Sequence, residues 1–557
     1  MAQSDDRKVH PYVPKLVEQL EQRRIDRRDF LRTSTLLGLS ATTAYGIVGK
    51  VLGPGAIPAA RAQGTPKKGG VLKISMRIPE LKNPHTFSWV YDSNTVRQVN
   101  DYLTRTGVDN VTRPWLLDSW EASEDLKTWT LNLRQGVTWS NGEPLVADHI
   151  IWNIERMLDP DVGSSWLGLM EGFLLDKEGD QTVLWDANAI EKVDDHTIRL
   201  NGKSAQLAIP ENLFHYPALM LWPEENGDWG VGSVGTGAFT AEVIEVGKRV
   251  VLKPREGYWG EGPYVDEVNF IDNGDDPAAE ANALIAQQVN GQYEANITQL
   301  PLLSQIPGLQ MHEVVTAQTG VVRMKVGVAP FDDPRVRKAM RMALDTRRLL
   351  QIGHANIGGP GEHHHVSTIH PEYAEVEFMA QDIEGAKALL AEAGYPDGLD
   401  LEHAITVPNN PAWEQITVQA CVEMWREAGV NVNINIVPEA QYWEVWTKVP
   451  FGFTRWTHRP LGVMVLGLAY RSGVPWNETD YNNPKFEELL ATAEATLDVE
   501  ERRTIMADIE NLMLEDGPIA IPLWRGLFSF WQTQVKGFAH HPTSYIFAEE
   551  IWLDDQA

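Results

Sequence analysis

Three groups of residues in this sequence have types and spacings that could do chemistry. The first is Gly361-Glu362-His363-His364-His365, with His370 beyond. Neutral imidazoles are good ligands for nickel or zinc. Adjacent histidines in a loop do not automatically converge on one centre, however, and no His-Glu-x-x-His helix supplies the acid–base partner of metal hydrolysis. The run is expected to form a solvated or rim loop. His363, His364 and His365 are the only metal candidates, and no cofactor is expected. The second group is a formal Gly-x-Gly-x-x-Gly at Gly230, Gly232 and Gly235. Dinucleotide binding needs an apolar strand before it and a helix after it. Here Glu224–Asp228 is polar, and Thr236–Phe239 leads into alternating Val243, Val246, Val250 and Leu252, so the glycines read as a turn. The third is Cys421, the single cysteine. It excludes an intrachain disulfide and lies among Trp413, Ile416, Met424 and Trp425 at helical spacing, which predicts a buried structural thiol. Neither a G-x-S-x-G elbow nor a Walker A loop is present. The chain is therefore read as non-enzymatic, with an exported metal-dependent hydrolase as the remote alternative.

The elements around these groups are plain scaffold. From Pro114 to Pro160 the pattern alternates through Trp129, Leu131 and Leu133, turns at Gly136 and at Asn141-Gly142, and then takes a helical period. Ile150, Ile151, Ile154, Met157 and Leu158 share a helix face that Asp159-Pro160 ends. Val193, His196, Ile198 and Leu200 suggest a strand pair, Ala278–Asn290 a helix and Val321–Val328 a strand. Asp332-Asp333-Pro334 and Asp382 open helices, and Asp498, with Glu501 three residues on, caps another. A strand, the Cys421 helix and a strand at Val430–Val437 make a β-α-β unit.

At 557 residues the chain is too long for one ordinary core. A formal charge of −29 argues against nucleic acid or an anionic membrane as partner. Up to Ala62 the charge is +4, which leaves −33 for the rest. Arg27-Arg28-Asp29-Phe30-Leu31-Arg32, the uncharged run Thr33–Gly49 and Ala60-Arg61-Ala62 fit a twin-arginine signal peptide over 1–62, with a mature start near Gln63. The expected location is the periplasm, free of a lipid anchor.

Asp118-Ser119-Trp120-Glu121, Thr128-Trp129-Thr130-Leu131, Leu133-Arg134 and Trp139-Ser140-Asn141-Gly142-Glu143-Pro144 resemble the signature of the family 5 extracytoplasmic solute-binding proteins, the peptide- and nickel-type receptors of ABC importers. Gly235-Thr236-Gly237, Tyr258-Trp259-Gly260, Arg337 with Ala339 and Asp345, and Ala391–Gly398 extend the likeness over most of 69–557. Asn83-Pro84 departs from the family's aspartate-proline, and Gly327 from its asparagine. The resemblance implies an α/β fold: a two-lobed periplasmic binding protein of type II, the large cluster C kind, with a discontinuous first lobe and an extra subdomain. Lobe I would span 63–320 and lobe II 321–518, with 519–557 returning to lobe I. The implied partners are a peptide or peptide-like small polar solute and inner-membrane permease subunits with cytoplasmic ATPases, the receptor itself being a monomer. An opine-like solute, an oligosaccharide or a nickel chelate stands as the alternative ligand.

In peptide-binding relatives an aromatic, followed three positions on by an aspartate, holds the ligand's ammonium group. Here Trp456 keeps the aromatic and Arg459 reverses the charge. A buried guanidinium prefers a carboxylate or phosphate. Either Arg459 pairs with a protein carboxylate, or the ligand is anionic or polyhydroxyl, or the ammonium site has moved to Glu80 or Glu478. Candidate ligand contacts are Trp456, His458, Arg459, Tyr470 and Trp476, with Arg77 and Glu80 from the first lobe.

Overall fold

The computed structural model describes residues 9–53, 64–179 and 181–554. A twelve-stranded mixed sheet forms its backbone. Its lateral order begins with Phe239–Glu245, Arg249–Pro254, Glu267–Ile271, Val71–Ser75 and Gly291–Gln292. It continues through Leu523–Gln532 and Leu309–Met324 to Phe451–Trp456, Ile405–Pro408 and Ile434–Val437. The central pair, Leu309–Met324 and Leu523–Gln532, runs antiparallel and joins the two halves. Leu309–Met324 is exposed over its first half and wholly buried from Thr316 onward, so it is an edge at one end and a core strand at the other. The predicted β-α-β unit is present: Ile405–Pro408 pairs in parallel with Ile434–Val437, and the helix Ala412–Glu427 connects them with Cys421 fully buried.

Leu117–Ala122, Thr128–Leu133, Thr197–Asn201 and Ile190–Asp194 form a separate four-stranded sheet. Thr128–Leu133 alternates strictly in burial, as its sequence predicts, with Trp129, Leu131 and Leu133 inward. The helix Ala147–Leu158 buries Ile150, Ile154, Met157 and Leu158. Gly235 and Gly237 belong to a turn, and a methyl group on Gly235 would lie 1.9 Å from the Val99 carbonyl oxygen. Close backbone packing explains these glycines without any phosphate.

The apolar side chains sort into separate clusters. One joins Val322, Met340, Trp425 and Phe453 in the β-α-β half. Another holds Trp129, Trp166 and Phe173 together with Leu466, Phe486 and Met513, so the helices Gly462–Tyr470, Pro484–Ala495 and Val499–Asp516 share their core with the opposite half.

Residues 9–53 form the helices Val13–Glu21, Arg27–Leu36 and Ala41–Leu52, packed on this body. Asp26 caps the second, its carboxylate accepting from the Asp29 N–H at 2.8 Å. Phe30 and Leu31 are buried, and the Trp120 indole N–H donates to the Leu36 carbonyl at 2.7 Å. No helix among the described residues is long and apolar enough to cross a membrane. The expected cleavage residues Ala60-Arg61-Ala62 and the start at Gln63 lie outside the described residues.

Candidate functional site

A cavity of about 150 Å³ opens at the carboxyl ends of Val71–Ser75, Gly291–Gln292 and Ile405–Pro408, where strand ends and helix starts from both halves meet. Ligands of open α/β sheets bind at such strand ends, because the following turns leave a crevice there. Arg77, Trp89 and Glu294 come from one half, and Trp413, Glu439 and Arg455 from the other. Arg525 enters from the central strand pair.

Charges in this cavity are matched. Arg455 donates to Glu414 at 2.8 Å and to Glu439 at 3.2 Å, two carboxylates in the first turns of helices, where the backbone dipole favours negative charge. Arg77 reaches Glu439 from the opposite wall. Arg525 donates to the Gln318 side-chain oxygen at 3.0 Å and pairs with Glu294. Burial alone would raise the Glu294 carboxyl, but the Arg525 and Arg455 charges outweigh it and hold Glu294 below its usual range. Burial carries Glu414 the other way, up to about 8, against the pull of Arg455. The guanidinium of Arg455 lies 4.6 Å from the Trp89 ring centre and that of Arg525 lies 4.4 Å from Trp413, so each cation is also faced by a π-system.

A smaller pocket adjoins this cavity and shares Trp89, Arg455 and Thr457 with it. Trp89, Trp443, Trp446, Trp456 and Trp476 line it, with Tyr216 and Arg459. Edge-to-face contacts link the rings in a chain, from Trp443 to Trp446 and through Trp476 to Trp456.

The residues expected from sequence divide accordingly. Trp456, Arg459 and Trp476 line the indole pocket and Arg77 lines the main cavity, so four are brought to one region. His458 stands behind it, with the Ala317 N–H donating to Nδ1 at 3.1 Å and Nε2 pairing with the Asn110 side-chain oxygen at 3.1 Å. Tyr470 is fully buried in its helix, its hydroxyl 2.5 Å from His365 Nδ1, and it lines neither pocket. Glu80 is on the surface beside Lys82 at 2.6 Å, away from the cleft. Glu478, the other suggested ammonium site, is already engaged. It accepts from Trp456 Nε1 at 2.7 Å and Thr454 Oγ1 at 2.5 Å and pairs with Arg323 at 2.8 Å, so it has little capacity left for a ligand amine.

One alternative left open for Arg459 falls away, and one further expectation is corrected. Arg459 has no carboxylate within 4 Å among the described residues; backbone carbonyls and hydroxyls hold it instead. The histidine run is not a solvated loop, for His363, His364, His365 and His370 are all buried. Each has a separate anchor: the Ile521 N–H donates to His363 Nδ1, the Val366 N–H to His364 Nδ1 and the Ser367 N–H to His370 Nδ1, while His365 Nδ1 meets the Tyr470 hydroxyl. Burial holds His363 and His364 at about 3, neutral at physiological pH. No set of three or more metal-ligating side chains converges among the described residues.

Residues 111–478 match the family model of the bacterial extracellular solute-binding proteins, family 5 Middle. The dipeptide-binding protein DppE of Bacillus subtilis is 23% identical over 482 residues, covering 82% of this chain and 87% of its own. The binding protein AgaA of Agrobacterium tumefaciens R10, solved with agropinic acid, superposes with a TM-score of 0.77 at 20% identity, covering 87% of this chain and 99% of that one. DppA of Helicobacter pylori, solved with the peptide STSA, gives 0.76 at 18% identity over 87% and 98%.

Proposed function

The chain belongs to the family 5 bacterial extracellular solute-binding proteins, which are not enzymes, and on that premise we propose that it binds a peptide-like or other small polar solute between two lobes and delivers it to an ABC permease in the inner membrane. The observation that carries this reading is the charge-matched cavity walled by both halves. Its residues become mutually useful only when the halves approach, so a solute that touches both walls favours the closed state by its differential contacts. The lobes in this reading are 63–320 with 519–557, and 321–518, hinged at the strands Leu309–Met324 and Leu523–Gln532. Export by the twin-arginine route to the periplasm is part of the same proposal, supported by Arg27-Arg28 and the basic front of the chain.

The relatives named above are a protein named for dipeptide binding and two solved with the peptide STSA and with agropinic acid, and the solute here is expected within that range of compact polar molecules. Mass spectrometry of solute retained on the purified protein tests the reading. A small organic molecule retained at near-unit stoichiometry, with small-angle scattering showing contraction when it is added back, supports it. A protein that neither retains nor closes on any small solute would remove it.

A further inference from the structure

Arg459 is a cation that the fold buries and to which no carboxylate among the described residues comes within 4 Å. It is 3% exposed. Nη1 donates to the His458 carbonyl at 3.0 Å, to the Thr457 carbonyl at 3.2 Å and to the Thr457 hydroxyl, while Nη2 reaches the Tyr216 hydroxyl at 3.4 Å. The Tyr216 ring centre lies 5.2 Å from the guanidinium carbon. Nε has no partner. Along the same cleft Arg323, Arg455 and Arg525 each have a carboxylate, in Glu478, Glu439 and Glu294, whereas buried Arg97 and Arg341, like Arg459, are held by hydroxyls or backbone carbonyls among the described residues.

Removing a charge from water without a counter-ion costs several kcal/mol, and carbonyl dipoles and one aromatic face offset only part of that. The imidazoles around it make no difference to the balance. His215, His365 and His458 are held neutral, by burial first and by the Arg459 charge in addition.

A second, independent observation concerns hydrogen-bond supply. Trp89 Nε1 and Trp443 Nε1 are buried donors without acceptors among the described residues, and both residues line the same pocket as Arg459. All three open positions at this pocket are donors, so what the pocket lacks is acceptor oxygen. The space beside Arg459 measures about 20 Å³, room for one or two water-sized atoms, such as the two oxygens of a carboxylate whose carbon stands at the mouth, and it shares Trp89, Arg455 and Thr457 with the 150 Å³ cavity. That size suits the two oxygens of a planar carboxylate better than the three terminal oxygens of a phosphate.

We infer that the indole pocket takes a carboxylate of the solute against Arg459, with the body of a compact organic acid lying in the main cavity. The inference rests on the receptor reading and narrows its solute class to anions.

The test uses the purified full chain, with tryptophan fluorescence and thermal melts followed during titration with succinate, glutarate and adipate, each beside its neutral diamide. At least one diacid is expected to quench fluorescence and raise the melting temperature while its diamide does neither. Arg459→Met should weaken that diacid at least tenfold, yet melt no lower than the unsubstituted protein without ligand, because it removes an uncompensated charge. Arg459→Lys, which keeps the charge, should retain part of the response and guards against a folding defect. Unchanged affinity in Arg459→Met, equal binding of the diamides, or no response to any diacid would each overturn the inference. Small-angle scattering with a dipeptide mixture separates the two levels: closure on dipeptides but not diacids leaves the receptor reading standing, and closure on neither removes both.

Discussion

The indole rings of Trp89 and Trp443 meet in a T-shaped contact across the cleft, their centroids 4.1 Å apart and their planes at 79°. The two residues are far apart in the chain and come from opposite walls, so the contact exists only while the halves are together. Such a pair contributes about 0.5–1.5 kcal/mol beyond its buried area. Trp443→Ala is therefore expected to shift the unliganded protein toward an open form and to weaken solute binding roughly two- to tenfold. Small-angle scattering and titration check it; an unchanged radius of gyration in Trp443→Ala would count against a closure role.

Arg77 and Glu439 form the second bridge between the walls. The Arg77 side chain is 39% exposed, so screening limits the pair to under ~1 kcal/mol. Arg77→Ala should weaken binding by less than about fivefold, and the difference from the unsubstituted protein should shrink as salt is raised. A loss that is large and independent of salt would mean that Arg77 contacts the solute directly.

Arg323 and Glu478 behave differently because both side chains are buried, at 0% and 2% exposure. Glu478→Ala would leave the Arg323 cation without its carboxylate and strip the acceptor from Trp456 Nε1. Breaking one partner of a buried pair costs about 3–5 kcal/mol. Urea denaturation should show a loss of that order, which a variant with both Arg323→Met and Glu478→Met partly recovers. A Glu478→Ala protein of normal stability would rule out this account of the pair.

How legible this was in the sequence depended on where the cause of each feature lies. Thr128–Leu133 and Ala147–Leu158 could be read because one face of each is buried, which writes the structural period into the apolar pattern. Of Leu309–Met324 only Val321–Met324 was expected, and the strand stops there instead of running on to Val328; residues 309–315 are partly or fully exposed and carry no such pattern. The helix predicted over Ala278–Asn290 ends at Ile285, with Gln287 in the left-handed region at φ 56°, a stop that no glycine or proline announces. The site was harder. Arg77 and Glu439 meet across 362 positions of sequence, and Glu294, Glu414 and Arg525 form no local motif with them. Trp456 and Arg459 could be singled out only through resemblance. The histidine run looked solvated because nothing local reveals burial; Gly361 packs so closely that an added methyl would lie 1.7 Å from the Ile521 carbonyl oxygen.

Asp29 pairs with Arg503 at 2.7 Å and Lys15 with Asp498 at 2.9 Å, fastening the N-terminal helices to Val499–Asp516 and its cap. Phe30 and Leu31, beside the twin arginines, are buried in the same core as that helix. Arg503→Glu places like charges together at Asp29 and is expected to free the segment. Limited trypsin digestion of the full chain should then cut at Arg27, Arg28 or Arg32 at least severalfold faster, with the body intact. Equal cutting rates would mean that these contacts do not hold the segment.

Glu510 lies in the buried acid–histidine cluster behind the cleft, 3.8 Å from His364 Nε2 and near Glu362, Glu372 and Tyr373. Burial pushes its carboxyl up to about 9, and burial holds His364 at about 3, so at neutral pH both are uncharged and their contact is not an ion pair. A carboxyl raised in the folded state binds more protons there than in the unfolded chain, where its value is near 4.5. Its contribution to stability is therefore fully present below about pH 4.5 and declines as pH rises toward 9. Glu510→Gln mimics the protonated form and keeps the oxygen that accepts from the Ala374 N–H at 3.1 Å. In denaturant melts from pH 5 to 9 the variant should match the unsubstituted protein at pH 5 and exceed it by more than ~1 kcal/mol at pH 8, with a shallower slope between. If the two proteins lose stability in parallel across that range, Glu510 is ionised in the folded state and the cluster holds its charge by some other pairing.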